Sequence, residues 1–257
     1  MRKWWLLLIL LLALAGGAGW WWRDPIGKWV QASLQSVDLS IVTKPKPDPE
    51  KYAVLTADLE HWRKILAKRY DKEKAPHERK AIEAEAQVLL EKCLPAMMRC
   101  WLGTRWDFNG TAEGPGKGKI ACGYFVATVL KDAGFKVDRY QLAQQPSGNI
   151  LRSFLPKDSC TLTVGQDYQE FSKSVRKREP GVYVIGLDTH VAFIVVRDGE
   201  FRLIHSSGSR PWCVVDESQT DAGVLQRSKW RMLGNLTADS SVIQHWLKTD
   251  KIVVLGS

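Results

Sequence analysis

The amino-acid sequence predicts an α+β fold in which a helix that carries a cysteine packs on an antiparallel sheet. A helical pair and an N-terminal membrane or signal segment precede this core. Two long amphipathic stretches come first, then Cys122 opens an apolar helical stretch that reaches Gly134. Short apolar runs at 182–185, 191–196 and 201–204 follow, with the length and composition of strands. Long helices followed by a series of strands favour the α+β class.

The first 23 residues are predicted to direct the chain out of the cytoplasm. Arg2 and Lys3 precede an apolar run that starts at Trp4, and small residues and three tryptophans follow it. A basic start, an apolar stretch and a small-residue patch are typical of a signal peptide. Residues 4–22 also have about the length needed to cross a ~30 Å hydrocarbon core. We therefore expect a cell-envelope protein tethered to the membrane by residues 4–22, with a cleaved signal peptide as the alternative.

Net charge narrows the partners that the protein would meet. The 257 residues carry a formal charge of +9, which suits an anionic surface such as acidic phospholipid or a wall polymer. Zinc-finger spacing, a basic helix and an aromatic stacking platform are all missing from the sequence, so no nucleic acid partner is expected. No cysteine pair has the spacing of a metal or redox site, and no cofactor is predicted.

Residues 24–49 are predicted to form a linker, and residues 50–100 a helical pair packed on the core. Three prolines at alternate positions end the linker, and Asp48-Pro49-Glu50 is a helix-start signal. A partner-binding helical hairpin is the alternative. The expected buried stripes of the two helices are Tyr52, Leu55, Leu59, Trp62, Leu66 and Tyr70, then Ile82, Ala86, Leu89, Cys93 and Ala96.

Residues 101–257 are predicted to form the main domain. Besides the helix from Cys122 and the three strands above, we expect a short helix near Ile150 and a short strand around Val214. A last helix is expected over 240–247 and a last strand over 252–255.

Cys122 is the candidate nucleophile. A thiol in the first turn of a helix faces unpaired N–H groups and the positive end of the helix dipole, which together with a neighbouring imidazolium can lower its pKa. Gly123 removes a side chain where a substrate backbone would approach. The backbone N–H of Cys122 or Gly123 could then face a developing oxyanion. A small buried cysteine without chemistry is the alternative.

Two histidines are predicted to lie on one face of the sheet. Asp198-Gly199 is a two-residue hairpin signal, and pairing outward from it sets Val196 opposite Phe201 and Ala192 opposite His205. His190 then lies on the same face as His205, one diagonal step away. This placement suggests that Cys122 attacks, His190 accepts the proton and His205 orients His190. The alternative is that both histidines are structural.

The sequence does not decide whether the other four cysteines form disulfides or are free thiols. They are Cys93, Cys100, Cys160 and Cys213. Export would expose them to an oxidising compartment, where disulfides persist. Bridges from Cys160 to Cys213 and from Cys93 to Cys100 are conceivable, although sequence cannot decide connectivity.

Five segments in order resemble the NlpC-type cysteine peptidases of bacterial cell walls. They are Leu102-Gly-Thr-Arg-Trp106, Cys122-Gly-Tyr-Phe125, Pro180-Gly-Val-Tyr-Val184, His190-Val-Ala-Phe-Ile194 and Ile204-His-Ser-Ser-Gly208. The resemblance covers residues 101 to about 208. The sequence departs from the family pattern at several points. Ala121 and Val182 stand where an aspartate is common, the span from Gly181 to His190 is short, and the hairpin between the two histidines is longer than usual.

The resemblance implies a papain-like fold with Cys122 as nucleophile, His190 as base and His205 as the third polar residue. Trp106 stands near the oxyanion position, where the family often has tyrosine. The implied substrate is the peptide stem of peptidoglycan, or another peptide-bearing anionic wall polymer, cleaved through a thioester without metal. Three alternatives remain: a cysteine amidase, an acyl transferase using the same residues, and a non-catalytic wall-binding module.

Overall fold

The computed structural model describes residues 45–256, which belong to one compact unit. Within this range an N-terminal helix pair and further helices pack on a six-stranded antiparallel sheet, so the predicted α+β class is confirmed. The predicted signal or anchor segment and most of the linker lie outside the described residues. None of the helices in residues 45–256 has the length and apolar composition needed to span a membrane.

The helix pair consists of α1 (Pro49–Lys72) and α2 (Pro76–Arg99). The side chain of Asp48 caps α1 as expected, accepting a hydrogen bond from the N–H of Lys51 at 2.9 Å. The buried stripe of α1 differs from the prediction at one position, because Arg63 is buried and Trp62 is only partly so. The Arg63 guanidinium can enter the interior because Glu60 pairs with it and Thr249 accepts a hydrogen bond from it at 2.5 Å.

The remaining helices and strands follow in chain order. They are β1 (Arg105–Trp106), β2 (Lys119–Ile120), α3 (Cys122–Asp132), α4 (Arg139–Ala143), α5 (Ser147–Phe154), a 3-10 turn (Lys157–Ser159), β3 (Cys160–Val164), α6 (Tyr168–Arg176), β4 (Gly181–Leu187), β5 (Val191–Arg197), β6 (Glu200–Ser206), β7 (Val214–Ser218), α7 (Gly223–Arg227), β8 (Trp230–Asn235) and α8 (Ser240–Lys248).

The main sheet has the strand order β3-β8-β4-β5-β6-β7. The predicted register of the β5–β6 hairpin is confirmed, since Val196 pairs with Phe201 and Ile194 pairs with Leu203. Asp198 and Gly199 form the turn, and both have positive φ, as a tight hairpin turn of this kind requires. This hairpin brings the strand that follows His190 beside the strand that contains His205.

Seven helices and strands were not expected, and one expected strand is wrong. The additional elements are β1, β2, α4, β3, α6, α7 and β8, and β8 lies inside the main sheet between β3 and β4. The predicted strand over 252–255 has no partner strand there. Instead, Lys251 makes an isolated bridge to Lys136, and the N–H of Ile252 donates to the Lys136 carbonyl at 2.9 Å. The apolar run that suggested a strand is an extended tail, in which Ile252 and Val254 are buried against the domain and Val253 is exposed.

Helix α3 packs its apolar face on β5 and β6. Phe125 anchors the contact: its ring meets Phe193 of β5 edge-on at 6.0 Å and Trp101 at 6.0 Å on the other side. Burial of large aromatic side chains contributes strongly to stability, so this stack sets the position of α3 on the sheet. The N-terminal residue of α3, Cys122, is thereby held next to the start of β5.

All five cysteines are free thiols. Cys160 begins β3 and Cys213 immediately precedes β7, at opposite edges of the six-stranded sheet. Five inter-strand spacings separate these edges by about 24 Å, far beyond the reach of a disulfide. Cys93 and Cys100 are both buried.

Candidate active site

Cys122 is the first residue of α3, and the residue before it, Ala121, offers no side chain to cap the helix. The backbone N–H groups of Val191, Gly123 and Cys122 itself lie close enough to the sulfur to stabilise a thiolate. Val191 directly follows His190 in the chain. The thiol therefore lies against the start of β5, at the point where the chain leaves His190.

Near neutral pH the site holds a neutral thiol and a neutral imidazole. Burial raises the pKa of the Cys122 thiol, and this effect outweighs the three backbone N–H groups. Burial, with His205 as a second cause, lowers the pKa of His190 to about 3. The expectation that the helix terminus lowers the thiol pKa is therefore wrong for this state, because desolvation dominates over the helix dipole here.

A hydrogen-bonded chain of three side chains leads away from the thiol. His190 Nε2 lies 2.8 Å from His205 Nδ1, and the two rings are nearly perpendicular. His205 Nε2 lies 3.0 Å from a carboxylate oxygen of Glu217. The predicted diagonal contact between the two histidines is thus present. Among the described contacts, none is a hydrogen bond between the thiol and the His190 ring.

Glu217 is the residue of this group that sequence reasoning missed. It lies on β7, two residues after Val215, which pairs with His205 of β6. Glu217 is therefore one diagonal step from His205 on the same face of the sheet. A strand around Val214 was predicted without a register. The register of β5 and β6 could be predicted because a two-residue turn signal joins them. The loop that joins β6 to β7 carries no such signal, so the position of Glu217 could not be predicted in the same way.

Cys122 and His190 line an open cleft that extends to both sides of them. One lobe has a volume of about 900 Å³ and the other about 670 Å³. The residues that line both lobes are Cys122, Gly123, Ala143, Gln144, Leu187, Asp188, Thr189 and His190. A chain bound along the cleft would therefore cross the thiol with residues on either side of it.

Trp106 forms part of the wall of the larger lobe. Its ring lies 5.6 Å from the ring of Trp212, and its backbone N–H donates to the Trp212 carbonyl at 2.8 Å. A β-carbon on Gly208 would lie 3.1 Å from the Trp106 ring, so glycine leaves room for the indole. Trp106 thus lines the same lobe as Cys122, and its ring is held by the loop before β7.

Gly123 borders the cleft, and the fold gives a packing reason for glycine in addition to the predicted one. A β-carbon at this position would lie 2.3 Å from the carbonyl oxygen of Ala143, at the end of α4. The missing side chain therefore allows α3 and α4 to approach each other. The Gly123 N–H still lies at the sulfur and remains a candidate oxyanion donor.

Asp188 anchors the loop that presents His190. Its carboxylate accepts hydrogen bonds from the Ser228 hydroxyl and from the backbone N–H groups of Lys229 at 2.8 Å and Trp230 at 3.1 Å. The Ser228 hydrogen bond is the main cause that lowers the pKa of this carboxyl group. Asp188 thus ties the β4–β5 turn to the beginning of β8, and it stabilises the position of the His190 backbone.

The site contains the parts of a nucleophilic centre: a thiol at a helix start, an imidazole with an orienting partner, and backbone N–H donors beside the sulfur. In residues 45–256 no cluster of three or more His, Cys, Asp or Glu side chains is arranged to hold a metal ion. Comparison of the chain with protein-family models, curated proteins and solved structures finds no match. The argument for function therefore rests on the site itself.

Proposed function

We propose that this protein is a cysteine hydrolase with a papain-like core that cleaves peptide bonds in the peptide stem of peptidoglycan. The observation that carries the proposal is the meeting of Cys122 and the hydrogen-bonded His190–His205 pair in one two-lobed cleft. Sequence alone predicted these three residues as a group, on elements far apart in the chain. An open cleft on both sides of the thiol suits an extended peptide.

In the proposed reaction the His190 imidazole accepts the thiol proton while the sulfur attacks the scissile carbonyl carbon. Because both groups are neutral at rest, proton transfer accompanies the attack and no thiolate–imidazolium pair forms beforehand. The new C–S bond leaves a negative charge on the carbonyl oxygen, which the N–H groups of Cys122 and Gly123 and the Trp106 indole stabilise.

Collapse of this intermediate breaks the C–N bond, and His190 returns the proton to the departing amine. A thioester on Cys122 remains. Water then attacks the thioester carbonyl while His190 takes a water proton, and the C–S bond breaks to release a carboxylic acid and the thiol. Each step uses only the thiol, the imidazole and water, so the proposal requires no metal and no cofactor.

Charge and targeting features support a wall-peptide substrate. The whole chain carries a formal charge of +9, and each lobe of the cleft includes one exposed arginine, Arg227 in the larger lobe and Arg152 in the smaller. These side chains suit carboxylate groups along an anionic wall peptide. The proposed location is the cell envelope, with residues 4–22 as the membrane tether.

Replacement of Cys122 by alanine tests the proposal. Purified wild-type protein is expected to release new peptide amino groups from isolated peptidoglycan, and Cys122→Ala is expected to release none above background. Cys213→Ala is the matched control, since it removes another half-buried thiol that lines neither lobe of the cleft. Equal digestion by wild type and Cys122→Ala would overturn the assignment.

The same assay separates the related enzymes. A cysteine amidase would release free lactyl groups on the sugar in addition to new peptide amines. An acyl transferase would pass the acyl group to an added amine in preference to water. A cysteine peptidase should instead produce a new peptide amine and a new peptide carboxylate in equal amounts.

One observation favours a second candidate, a wall-binding module without catalysis. The raised pKa of the Cys122 thiol and the lowered pKa of His190 leave both groups uncharged at rest. A binding module would retain wild-type and Cys122→Ala proteins equally on sedimented peptidoglycan, and neither protein would release peptide. If the protein is a hydrolase, the wild type would release peptide and the Cys122→Ala variant would release none.

A further inference from the structure

We propose that Glu217 is a positioning residue of this site: through His205 it holds His190 in the tautomer whose Nδ1 is unprotonated and able to accept a proton from Cys122. The inference rests on the proposed function for the use of that nitrogen, while the tautomers themselves are a separate property of the folded protein.

Glu217, His205 and His190 form a continuous hydrogen-bonded chain that uses both nitrogens of His205 and Nε2 of His190. Glu217 Oε2 lies 3.0 Å from His205 Nε2, and His205 Nδ1 lies 2.8 Å from His190 Nε2. The ring centroids of the two histidines are 4.8 Å apart at an angle of 88°. Both distances fall in the range of good hydrogen bonds, so each nitrogen must be either a donor or an acceptor.

The roles follow from the carboxylate end. An ionised carboxylate can only accept hydrogen bonds, so His205 Nε2 must carry the proton. A neutral imidazole has one N–H, which leaves His205 Nδ1 as an acceptor. His190 must then donate from Nε2, and its own Nδ1 is left with a free lone pair. Without Glu217, either ring could adopt the opposite tautomer, and the chain could run in reverse.

His205, the middle member of the three hydrogen-bonded side chains, is buried, and its burial makes this constraint effective. His205 is only 2% exposed, so water cannot readily replace either hydrogen-bond partner. The neighbouring acid, Asp216, does not compete for the ring. It lies on the opposite face of β7, where Arg99 and Arg202 bind its carboxylate at 2.8 Å and 2.5 Å.

The contact between Glu217 and His205 also stabilises His190 once His190 has accepted a proton. The imidazolium then donates to His205 from Nε2, and the Glu217 carboxylate lies at the other end of the chain to compensate the charge. Loss of the carboxylate should therefore slow the chemical step more than it weakens substrate binding. Such a separation of kcat from KM is not expected from a purely structural ion pair.

The test uses the full chain, labelled with ¹⁵N at its five histidines and purified in detergent, with ring signals assigned through His190→Asn. In the wild type, both His190 and His205 should be protonated at Nε2 and unprotonated at Nδ1. Glu217→Ala should give a mixture of tautomers at both rings. Glu217→Gln should largely restore the wild-type pattern, because the amide oxygen can still accept from His205. If the alanine variant fails to fold, the wild-type tautomers still test the proposal, because rings protonated at Nδ1 would contradict it.

Asp216→Asn is the matched control. It removes a carboxylate charge from the same strand and weakens two arginine contacts, so stability should fall while the tautomers stay unchanged. In peptidoglycan digestion, Glu217→Ala should lower kcat roughly 10- to 100-fold, the range seen for groups that orient a reactive ligand, with KM altered less than about 2-fold.

Wild-type tautomers in Glu217→Ala, or rings protonated at Nδ1 in the wild type, would overturn the proposal. This outcome is distinct from failure of the proposed function. If Cys122→Ala digests peptidoglycan as well as wild type, the hydrolase assignment fails, yet the ¹⁵N spectra still report whether Glu217 controls the two imidazoles.

Discussion

The carbonyl oxygen of Ala143 lies 2.3 Å from the position that a β-carbon on Gly123 would occupy. Because the obstacle is backbone at the end of α4, it cannot move aside as a flexible side chain could. Gly123→Ala should lower the free energy of unfolding by about 3 kcal/mol, at the upper end of typical overpacking costs. Chemical denaturation would measure this change.

Gly114→Ala is the control for the substitution at Gly123. The nearest atoms to a β-carbon on Gly114 belong to the flexible side chain of Lys117, at 3.3 Å. Stability should therefore change by less than about 1 kcal/mol. A Gly123→Ala protein as stable as Gly114→Ala would show that the α3–α4 contact is looser than described.

Alkylation of Cys122 in the protein without ligand should be slow near neutral pH and accelerate as the pH rises. The reason is that burial raises the pKa of the thiol, and only the thiolate reacts quickly with iodoacetamide. Peptide mass spectrometry would follow Cys122 separately from the other four cysteines, and Cys122→Ala identifies its peptide. A fast rate that stays constant from pH 6 to pH 9 would contradict the neutral resting state.

Protein stability should fall as the pH is lowered below about 6.5, partly because of His190. The folded-state pKa of His190 is about 3, below the ordinary value of 6.5, so between these values the unfolded chain binds the proton more readily. Each pH unit in this window should cost up to about 1.4 kcal/mol. Urea denaturation of wild type and His190→Asn would measure the slope.

His190→Asn should lose a large part of that acid sensitivity, since it removes the group that is kept neutral in the folded state. His77→Asn serves as the control, because the His77 side chain is 80% exposed on α2. If wild type and His190→Asn show the same dependence on pH, His190 does not stay uncharged in the folded protein.

Trp106→Phe tests the indole N–H as an oxyanion donor. A smaller aromatic ring replaces the indole, so part of the packing against Trp212 is kept, while the hydrogen-bond donor is lost. We expect kcat on peptidoglycan to fall by about 10²-fold, as for removal of one oxyanion donor elsewhere. Trp212→Phe is the control, since Trp212 lies 5.6 Å away and lines neither lobe. Equal loss in both variants would assign Trp106 a packing role alone.

The sequence was sufficient to predict the histidine pair because local signals determined the register there. Asp198-Gly199 is a tight hairpin turn, and the flanking strands pair as that turn dictates. The diagonal relation between His190 and His205 then follows from strand geometry. Glu217 was not predicted because the β6–β7 connection carries no such turn signal. Without a known register, a shift of one residue would move every side chain of β7 to the other face of the sheet.

β8 could not be recognised from its own residues. It contains Arg231, which is 1% exposed, and a glycine, Gly234, neither of which suits an interior strand by itself. The guanidinium is accommodated by the backbone carbonyls of Leu225, Gln166 and Gln226, which come from two other parts of the chain. A β-carbon on Gly234 would lie 2.4 Å from a methyl carbon of Leu155. Both residues are explained by contacts with distant parts of the chain, so neither leaves a recognisable pattern in the sequence of β8.

The protonation states of the site were equally beyond the reach of sequence. The position of Cys122 at a helix start was predicted and is observed, but the sign of its pKa shift depends on how deeply the thiol is buried. Burial depends on the packing of α3 against the sheet and on the loop before β5. A helix terminus and desolvation act in opposite directions, and only the structure shows which is larger.

The place of β8 between β3 and β4 has a consequence for how the polypeptide matures. A nascent chain emerging from the ribosome cannot complete this sheet until residue 235 has been made, although the strands on both sides of the gap appear about 50 to 70 residues earlier. Until then β3 has no neighbour, and one edge of β4 stays open to pairing with other chains. A translation product that stops before Trp230 should therefore aggregate, even though it retains the thiol, both imidazoles and the carboxylate of Glu217.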